Sequence, residues 1–250
     1  MKLIASMPAH NEMGRYLQCT VKHALTYCDE IRVLDDGSED GSADWLEAQD
    51  RVAVCRLDGP GWSQEGGHEG TVRQALLEHV LAGEPTHVLS LDADELVPRG
   101  ADLRAMIEAR AQRPVWALRV VEAWNMDPWL IRVDGGWRPR YAPVVYRVPD
   151  DRGDDWHART DLRLACPREP VAVAKMYRRA DKRSQLPIDL VHLGWANPAE
   201  REARAARYFE HDAGRFHKNE HLESILWTDE RLQLRGYSMP EDDSSPCPSP

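Results

Sequence analysis

Hydrophobic positions over the first 110 residues alternate between short unbroken apolar runs and stripes at helical spacing, and the switch between the two predicts the elements. Residues 2–7 form an apolar run that reads as a buried strand, with a turn over residues 8–12. A helix over residues 13–27 follows, with Leu17, Val21, Ala24 and Leu25 near helical spacing. Residues 31–35 read as a second strand, 42–49 as a short helix and 52–57 as a third strand. Residues 68–81 place Val72, Ala75, Leu76, His79 and Val80 on one helical stripe, and 88–91 form another buried strand. Strand, helix and strand in repetition predict a parallel sheet with right-handed crossovers, hence an α/β fold.

The second half is less regular. Residues 102–110 read as a helix and 115–121 as a strong strand. Residues 124–182 mix short apolar runs with Pro, Gly, Trp and Arg, which predicts short strands and long loops. Asn197 followed by Pro198 marks a helix start, cap residue then first helical position, and that helix runs to about residue 212. Another helix spans 220–228, and the polar, proline-rich residues 240–250 read as a disordered tail. With no repeat and no linker, one domain over residues 1–239 is the simplest count.

Two of the apolar runs close on carboxylates, Asp35-Asp36 and Asp92-Ala93-Asp94-Glu95. Open parallel sheets bind ligands at the carboxyl ends of their strands, so both clusters face one crevice. If the strand persists, Asp92 and Asp94 point to the same side, a spacing that suits a hard divalent cation and a phosphorylated ligand.

Composition narrows the partners. A chain of 250 residues is long enough to bury a full core. Its net charge of −10 gives no general attraction to nucleic acid or anionic lipid. Arg138, Arg140, Arg147 and Arg152 could still form a local basic groove. The five cysteines, Cys19, Cys28, Cys55, Cys166 and Cys247, are scattered and read as reduced thiols. The N-terminal apolar run is too short for a signal peptide, and no stretch approaches the ~20 apolar residues that cross a bilayer. The expectation is a soluble, cytoplasmic protein that meets any membrane-borne acceptor at the membrane surface.

Three blocks in order, residues 4–12 ending in Pro8-Ala9-His10-Asn11-Glu12, then Asp35-Asp36-Gly37-Ser38, then Leu91-Asp92-Ala93-Asp94-Glu95, resemble the family 2 glycosyltransferases of glycosyltransferase-A fold. The resemblance implies a Rossmann-like mixed sheet, mostly parallel and flanked by helices, with a donor-binding half over about 1–112 and a less regular acceptor half over about 113–239. It implies a sugar moved from a nucleotide-diphosphate sugar, foremost a UDP-sugar, to an acceptor hydroxyl with inversion, assisted by Mn²⁺ or Mg²⁺. Pro8, His10 and Glu12 would line the nucleoside, and Asp35 or Asp36 would accept a hydrogen bond from the base. Asp92 would contact ribose or metal-bound water, Asp94 would hold the metal, and Arg73 would lie near the nucleotide.

Other residues carry chemistry that the motifs do not place. Glycine-rich residues 59–70 precede the helix bearing Arg73, where backbone can approach a phosphate. His192, between apolar neighbours before the capped helix, could return to the site as a further metal ligand, a role that suits Mn²⁺ better than Mg²⁺. His217 and His221 have metal-like spacing but read as a solvated helix start. Inversion needs a general base. Asp155 and Asp161 are the favoured candidates and Asp134 a third, while Trp124, Trp129, Trp137 and Trp156 could stack on an acceptor. The acceptor is open among surface glycan, small metabolite, protein and a modified phage DNA base, as is the oligomeric state. A nucleotide-sugar hydrolase, a nucleotidyltransferase or a non-catalytic nucleotide-sugar sensor would use the same donor site.

Overall fold

The computed structural model describes residues 1–57, 68–161, 167–179, 184–211, 219–228 and 230–239. The first elements follow the alternation read from the sequence: β1 (Leu3–Ala9), α1 (Leu17–Ala24), β2 (Glu30–Asp35), α2 (Ser42–Glu47), β3 (Val52–Arg56), α3 (Glu69–Leu81) and β4 (His87–Ser90). Then come β5 (Glu95–Leu96), α4 (Gly100–Glu108), β6 (Val115–Met126), β7 (Trp129–Arg132), β8 (Arg140–Arg147), α5 (Val171–Arg179), β9 (Gln185–His192), α6 (Pro198–His211), α7 (Asn219–Glu223) and β10 (Leu234–Gly236). The ten strands of the described residues join one sheet, in the order β10-β7-β6-β8-β4-β1-β2-β3, with β9 bridging β5 and β6. One end of it, β4-β1-β2-β3, is parallel. The later strands add to it mostly antiparallel, through β8 on β4 and β6 on β8.

Burial on both faces explains the unbroken apolar runs. Leu3, Ala5 and Met7 of β1 pack with Leu17 and Val21 of α1 and Leu103 and Ile107 of α4. Ile4, on the opposite face, packs with Val72, Leu76 and Val80 of α3. A parallel strand covered by helices on both sides has no polar face to alternate with.

Local chemistry accounts for the differences from expectation. Helix α1 starts at Leu17 rather than residue 13, because side chains of the loop after β2 capture the preceding backbone: Ser38, Ser42 and Asp40 accept from the N–H groups of Asn11, Glu12 and Met13. Asn11 is left-handed there, with φ 53°. Strand β6 runs five residues beyond the expected 121, carried by pairing with β7 and β9. Helix α5 and strand β9 occupy stretches that lacked a clear period in the sequence. Helix α6 begins as read, with the Asn197 side chain accepting from the Ala199 N–H at 3.0 Å.

Arg132 organises the acceptor-side end of the sheet. It is fully buried, donates to both oxygens of Asp134 at 2.8 Å and to the Ser224 carbonyl at 2.7 Å, and lies 4.5 Å from the Trp124 ring centroid and 4.7 Å from that of Trp137. Those bonds and ring faces replace the water that a buried charge loses. Asp134, Trp124 and Trp137 are therefore packing elements rather than a base and two acceptor platforms. Trp156 packs edge-on against Tyr146, and Trp129 is partly buried against a separate apolar cluster. His221 stacks on Trp137 at 4.6 Å, whereas His217 lies outside the described residues.

Cys19 is disulfide-bonded, a correction to the reading of all five cysteines as reduced thiols, while Cys28 and Cys55 are free. Cys166, Cys247, residues 240–250 and most of the glycine-rich loop lie outside the described residues. No helix among the described residues is long and apolar enough to cross a membrane.

Candidate active site

The two acidic signatures lie at the carboxyl ends of β2 and β4, which flank β1 on either side. Ala9 of β1 pairs with Asp35 of β2, and the Asp36 N–H donates to the Ala9 carbonyl at 2.8 Å. Asp35 accepts from the Ser38 N–H through Oδ2, while its Oδ1 is buried without a hydrogen-bond partner among the described residues. His10 Nδ1 lies 2.7 Å from the Asp36 carbonyl oxygen, which can only accept, so Nδ1 carries the proton. Nε2 then accepts from the Asn11 amide at 3.2 Å. His10 is thus fixed beside Asp36, and Pro8 sits in β1 opposite Leu34.

Asp92 and Asp94 do not extend a strand. β4 stops at Ser90, and residues 92–95 turn, with the Glu95 N–H on the Asp92 carbonyl and Glu95 Oε2 accepting from the Asp92 N–H at 2.9 Å. Each carboxylate consequently meets its own cations. Asp92 accepts from Arg73 at 3.2 Å and from Arg168 at 3.0 Å, one arginine on each oxygen. Arg168 also grips both oxygens of Glu95. Asp94 accepts from Arg204 of α6 at 2.9 Å through Oδ2, and its Oδ1 lies 3.4 Å from His192 Nε2.

Sheet pairing brings His192 there. β5 pairs Glu95 with His192, and the Leu193 N–H donates to the Asp94 carbonyl at 2.8 Å. His192 Nδ1 donates to Glu122 Oε2 at 2.5 Å, and Glu122 in turn accepts from Arg140 at 3.1 Å. Gly194 leaves room for the Asp94–Arg204 pair, since a Cβ there would sit 2.5 Å from Asp94 Oδ2. Arg15 closes the far side, joined to Glu12 at 2.6 Å and to Glu200 at 2.8 Å.

These neighbours set the ionisation. Burial opposes charge on Asp94, but His192, Arg204 and Arg15 outweigh it and hold the carboxyl well below its usual range. Asp92 is lowered in the same way, with Arg168 and Arg73 overcoming burial. Burial also works against the His192 imidazolium, yet Asp94 and Glu122 raise its pKa well above the ordinary value. Glu12 goes the other way: burial, then the nearby Asp94 charge, push it up to about 7 against the pull of Arg15 and Arg204.

Among the described residues no group of three His, Cys, Asp or Glu side chains is placed to hold an ion. The expected triad of Asp92, Asp94 and His192 is therefore not assembled, because both Asp92 oxygens face arginines. Asp94 and His192 do fit a cation as a pair. Adjacent ligands of an octahedral ion lie roughly 3 Å apart, close to the Oδ1–Nε2 separation. A carboxylate behind the imidazole is the usual support for a ligating histidine.

The favoured bases lie elsewhere. Asp155 is exposed and paired with Lys175 at 2.7 Å, which lowers its pKa. Asp161 is exposed and held in a two-bond pair by Arg159, which lowers it to about 2. Neither is joined to the acidic cluster by a described hydrogen bond or ion pair, and a carboxylate so stabilised as the anion is a weak proton acceptor. Arg15, Glu122, Arg168, Glu200 and Arg204 escaped the sequence reading. Glu122 had a signal, a charge inside an apolar strand, and Glu200 and Arg204 had i,i+4 spacing on one helix. Arg168 had none.

Comparison with known proteins agrees with the three motifs. Two uncharacterized proteins, one from Mycobacterium bovis and one from Mycobacterium tuberculosis, are each 32% identical over 225 residues, covering 85% of this chain and 51% of the relative. The chain thus spans about half the length of the curated relatives it matches. Among solved structures, glucosyl-3-phosphoglycerate synthase from Mycobacterium tuberculosis aligns at TM-score 0.35 and 17% identity, over 48% of this chain and 44% of that one. CMP:2-keto-3-deoxy-manno-octonic acid synthetase aligns at TM-score 0.39 and 11% identity, over 85% of this chain and 100% of that one. Both structural likenesses are remote. The family description "Glycosyl transferase family 2", by contrast, matches residues 5–161, well over half of the sequence, and the chain belongs to that family.

Proposed function

We propose that the chain transfers a sugar from a nucleotide-diphosphate sugar to an acceptor hydroxyl, with a divalent cation, Mn²⁺ before Mg²⁺, held by Asp94 and His192. The observation that carries this reading is the approach of Asp94 Oδ1 and His192 Nε2 to 3.4 Å at the end of the parallel sheet, inside a family 2 chain. Two protein ligands leave the rest of the shell to phosphate oxygens and water, the usual arrangement where a hard cation meets a bound diphosphate. When bound, such a cation supplies Lewis-acid stabilisation of the leaving diphosphate.

The chain's own residues do the remaining work. In this reading His10, fixed beside Asp36, holds the nucleoside base together with the buried Asp35 and Asp36, and Pro8 and Glu12 line the nucleoside. Arg73 and Arg168 present cations that a diphosphate can share with Asp92. Inversion, a single displacement, is the proposed outcome, with the base assigned to neither Asp155 nor Asp161. A UDP-sugar is the proposed donor class.

A thermal-shift panel of UDP-, GDP-, TDP- and CMP-sugars, with and without Mn²⁺, tests the donor and cation together. One nucleotide class should raise the melting temperature in a Mn²⁺-dependent way, and Asp94→Asn should abolish that dependence. An unchanged Mn²⁺ effect in Asp94→Asn would refute the cation assignment. A donor that is bound but never consumed, across a broad acceptor set, would favour a sensor, and consumption without any acceptor a hydrolase.

A further inference from the structure

We infer that Glu122 is a positioning residue for His192: it fixes which ring nitrogen carries the proton and aims the other, Nε2, at the cation site beside Asp94. The inference rests on the proposed cation site and adds a residue that the sequence motifs do not reach.

The register makes the arrangement a property of the sheet rather than of one rotamer. His192 of β9 pairs with Glu95 of β5 on one side and with Glu122 of β6 on the other. Residues paired in this way project to the same face. The imidazole is thus flanked by a carboxylate on each neighbouring strand, and the two have different employment. Glu95 is engaged by Arg168 and by the Asp92 N–H, which leaves His192 to Glu122.

Glu122 sits inside the apolar run Val120-Val121-Glu122-Ala123-Trp124 and is only 4% exposed. A carboxylate in that position is costly unless fully partnered. One oxygen takes Arg140 and the other takes His192 Nδ1. Carboxylates face both ring nitrogens, but Glu122 Oε2 lies 2.5 Å from Nδ1, a full hydrogen bond, so Nδ1 is the nitrogen that keeps its proton and Nε2 the one left to a cation. That is the nitrogen 3.4 Å from Asp94 Oδ1. A glutamine at the same place keeps the shape but can offer N–H as readily as C=O, so it no longer enforces one tautomer.

Mn²⁺ binding to the full chain, measured with UDP present by loss of the free-ion electron paramagnetic resonance signal, tests this without turnover. Glu122→Gln and Glu122→Ala should weaken Mn²⁺ binding about 10–100-fold, the effect expected of a group that orients a metal-ligating histidine. Arg140→Gln, which breaks only the outer half of the chain of contacts, should leave the affinity close to wild type. If Asp94→Asn and His192→Ala abolish binding while Glu122→Gln binds like wild type, the positioning role is wrong and the cation site stands. If the wild-type chain binds no Mn²⁺, or Asp94→Asn binds it undiminished, the cation reading falls and takes this inference with it. Should the Glu122 variants not fold, ¹⁵N–¹H correlation spectra of the wild-type chain with UDP and the diamagnetic cation Cd²⁺ bound decide instead. The proton on Nδ1 supports the inference, and the proton on Nε2 overturns it.

Discussion

Replacing Glu12 by glutamine should stabilise the protein at neutral pH, even though the residue belongs to the N-terminal sequence motif. Its side chain is 14% exposed, and burial together with the Asp94 charge raises the carboxyl from 4.5 to about 7. In the unfolded chain the group ionises near the ordinary value, so between pH 4.5 and 7 the folded state binds more protons than the unfolded one. Stability therefore falls as pH rises through that window, and the full loss is present above it. At about 1.4 kcal/mol per pH unit, the shift corresponds to about 3 kcal/mol. Glutamine keeps an acceptor for Arg15 and removes the charge. Urea unfolding of both proteins at intervals from pH 4 to 8, with chelator present, should give curves that coincide at the acid end. They should then diverge, with the variant more stable by about 3 kcal/mol near pH 8. Groups that titrate in this range without interacting with Glu12 are common to both chains and cancel in the difference. Parallel curves would refute the assignment of a raised pKa to Glu12, and a less stable variant would show that the Arg15–Glu12 pair outweighs the burial of its charge.

Three other perturbations probe the site and its frame. Gly194→Ala places a methyl group against Asp94 Oδ2 and should lower transfer by about 10²-fold, the effect of a misplacement near 1 Å, with far less effect on the melting temperature; unchanged turnover would mean that the Asp94–Arg204 pair has no part in the reaction. Arg132→Met strands the buried Asp134 carboxylate and should cost about 3–5 kcal/mol in urea unfolding, whereas a change below 1 kcal/mol would show that water replaces the guanidinium. Asp155→Asn and Asp161→Asn should leave kcat near wild type, and a ~10²–10⁴-fold loss in either would restore that residue as the general base.

The fold of the first half was legible because a single cause acts on it. Strands β1 and β4 are buried on both faces and read as unbroken apolar runs, β2 is broken only by Arg32, and α3 carries its stripe toward the sheet. The acceptor half lacks that uniform cause. β6 is apolar over most of its length but is interrupted by Arg119, Glu122 and Asn125, and β9 carries Asp189 and His192 among its apolar residues. In the register these polar residues meet partners from elsewhere in the chain: Asp189 pairs with Arg119 of β6, and His192 with Glu122. Periodicity cannot register a strand whose polar positions are satisfied only after the sheet has formed.

The same distinction separates the parts of the site. Asp35, Asp36, Asp92 and Asp94 were visible because they are contiguous and terminate strands, a local pattern. The cations that meet them come from distant positions: Arg73 from α3, Arg168 from just before α5, and Arg204 and Glu200 from α6. Each alone looks like a solvated surface charge. Their role follows from the acidic cluster itself, since carboxylates as buried as Asp94 and Glu95 cannot stay ionised without cations close by. The sequence therefore contained a requirement for basic partners without their addresses. Reading Asp92 and Asp94 as a shared metal site assumed that the metal would be that partner. The arginines take both oxygens of Asp92, which leaves Asp94, with one oxygen facing His192, as the member of that pair with an oxygen no arginine holds.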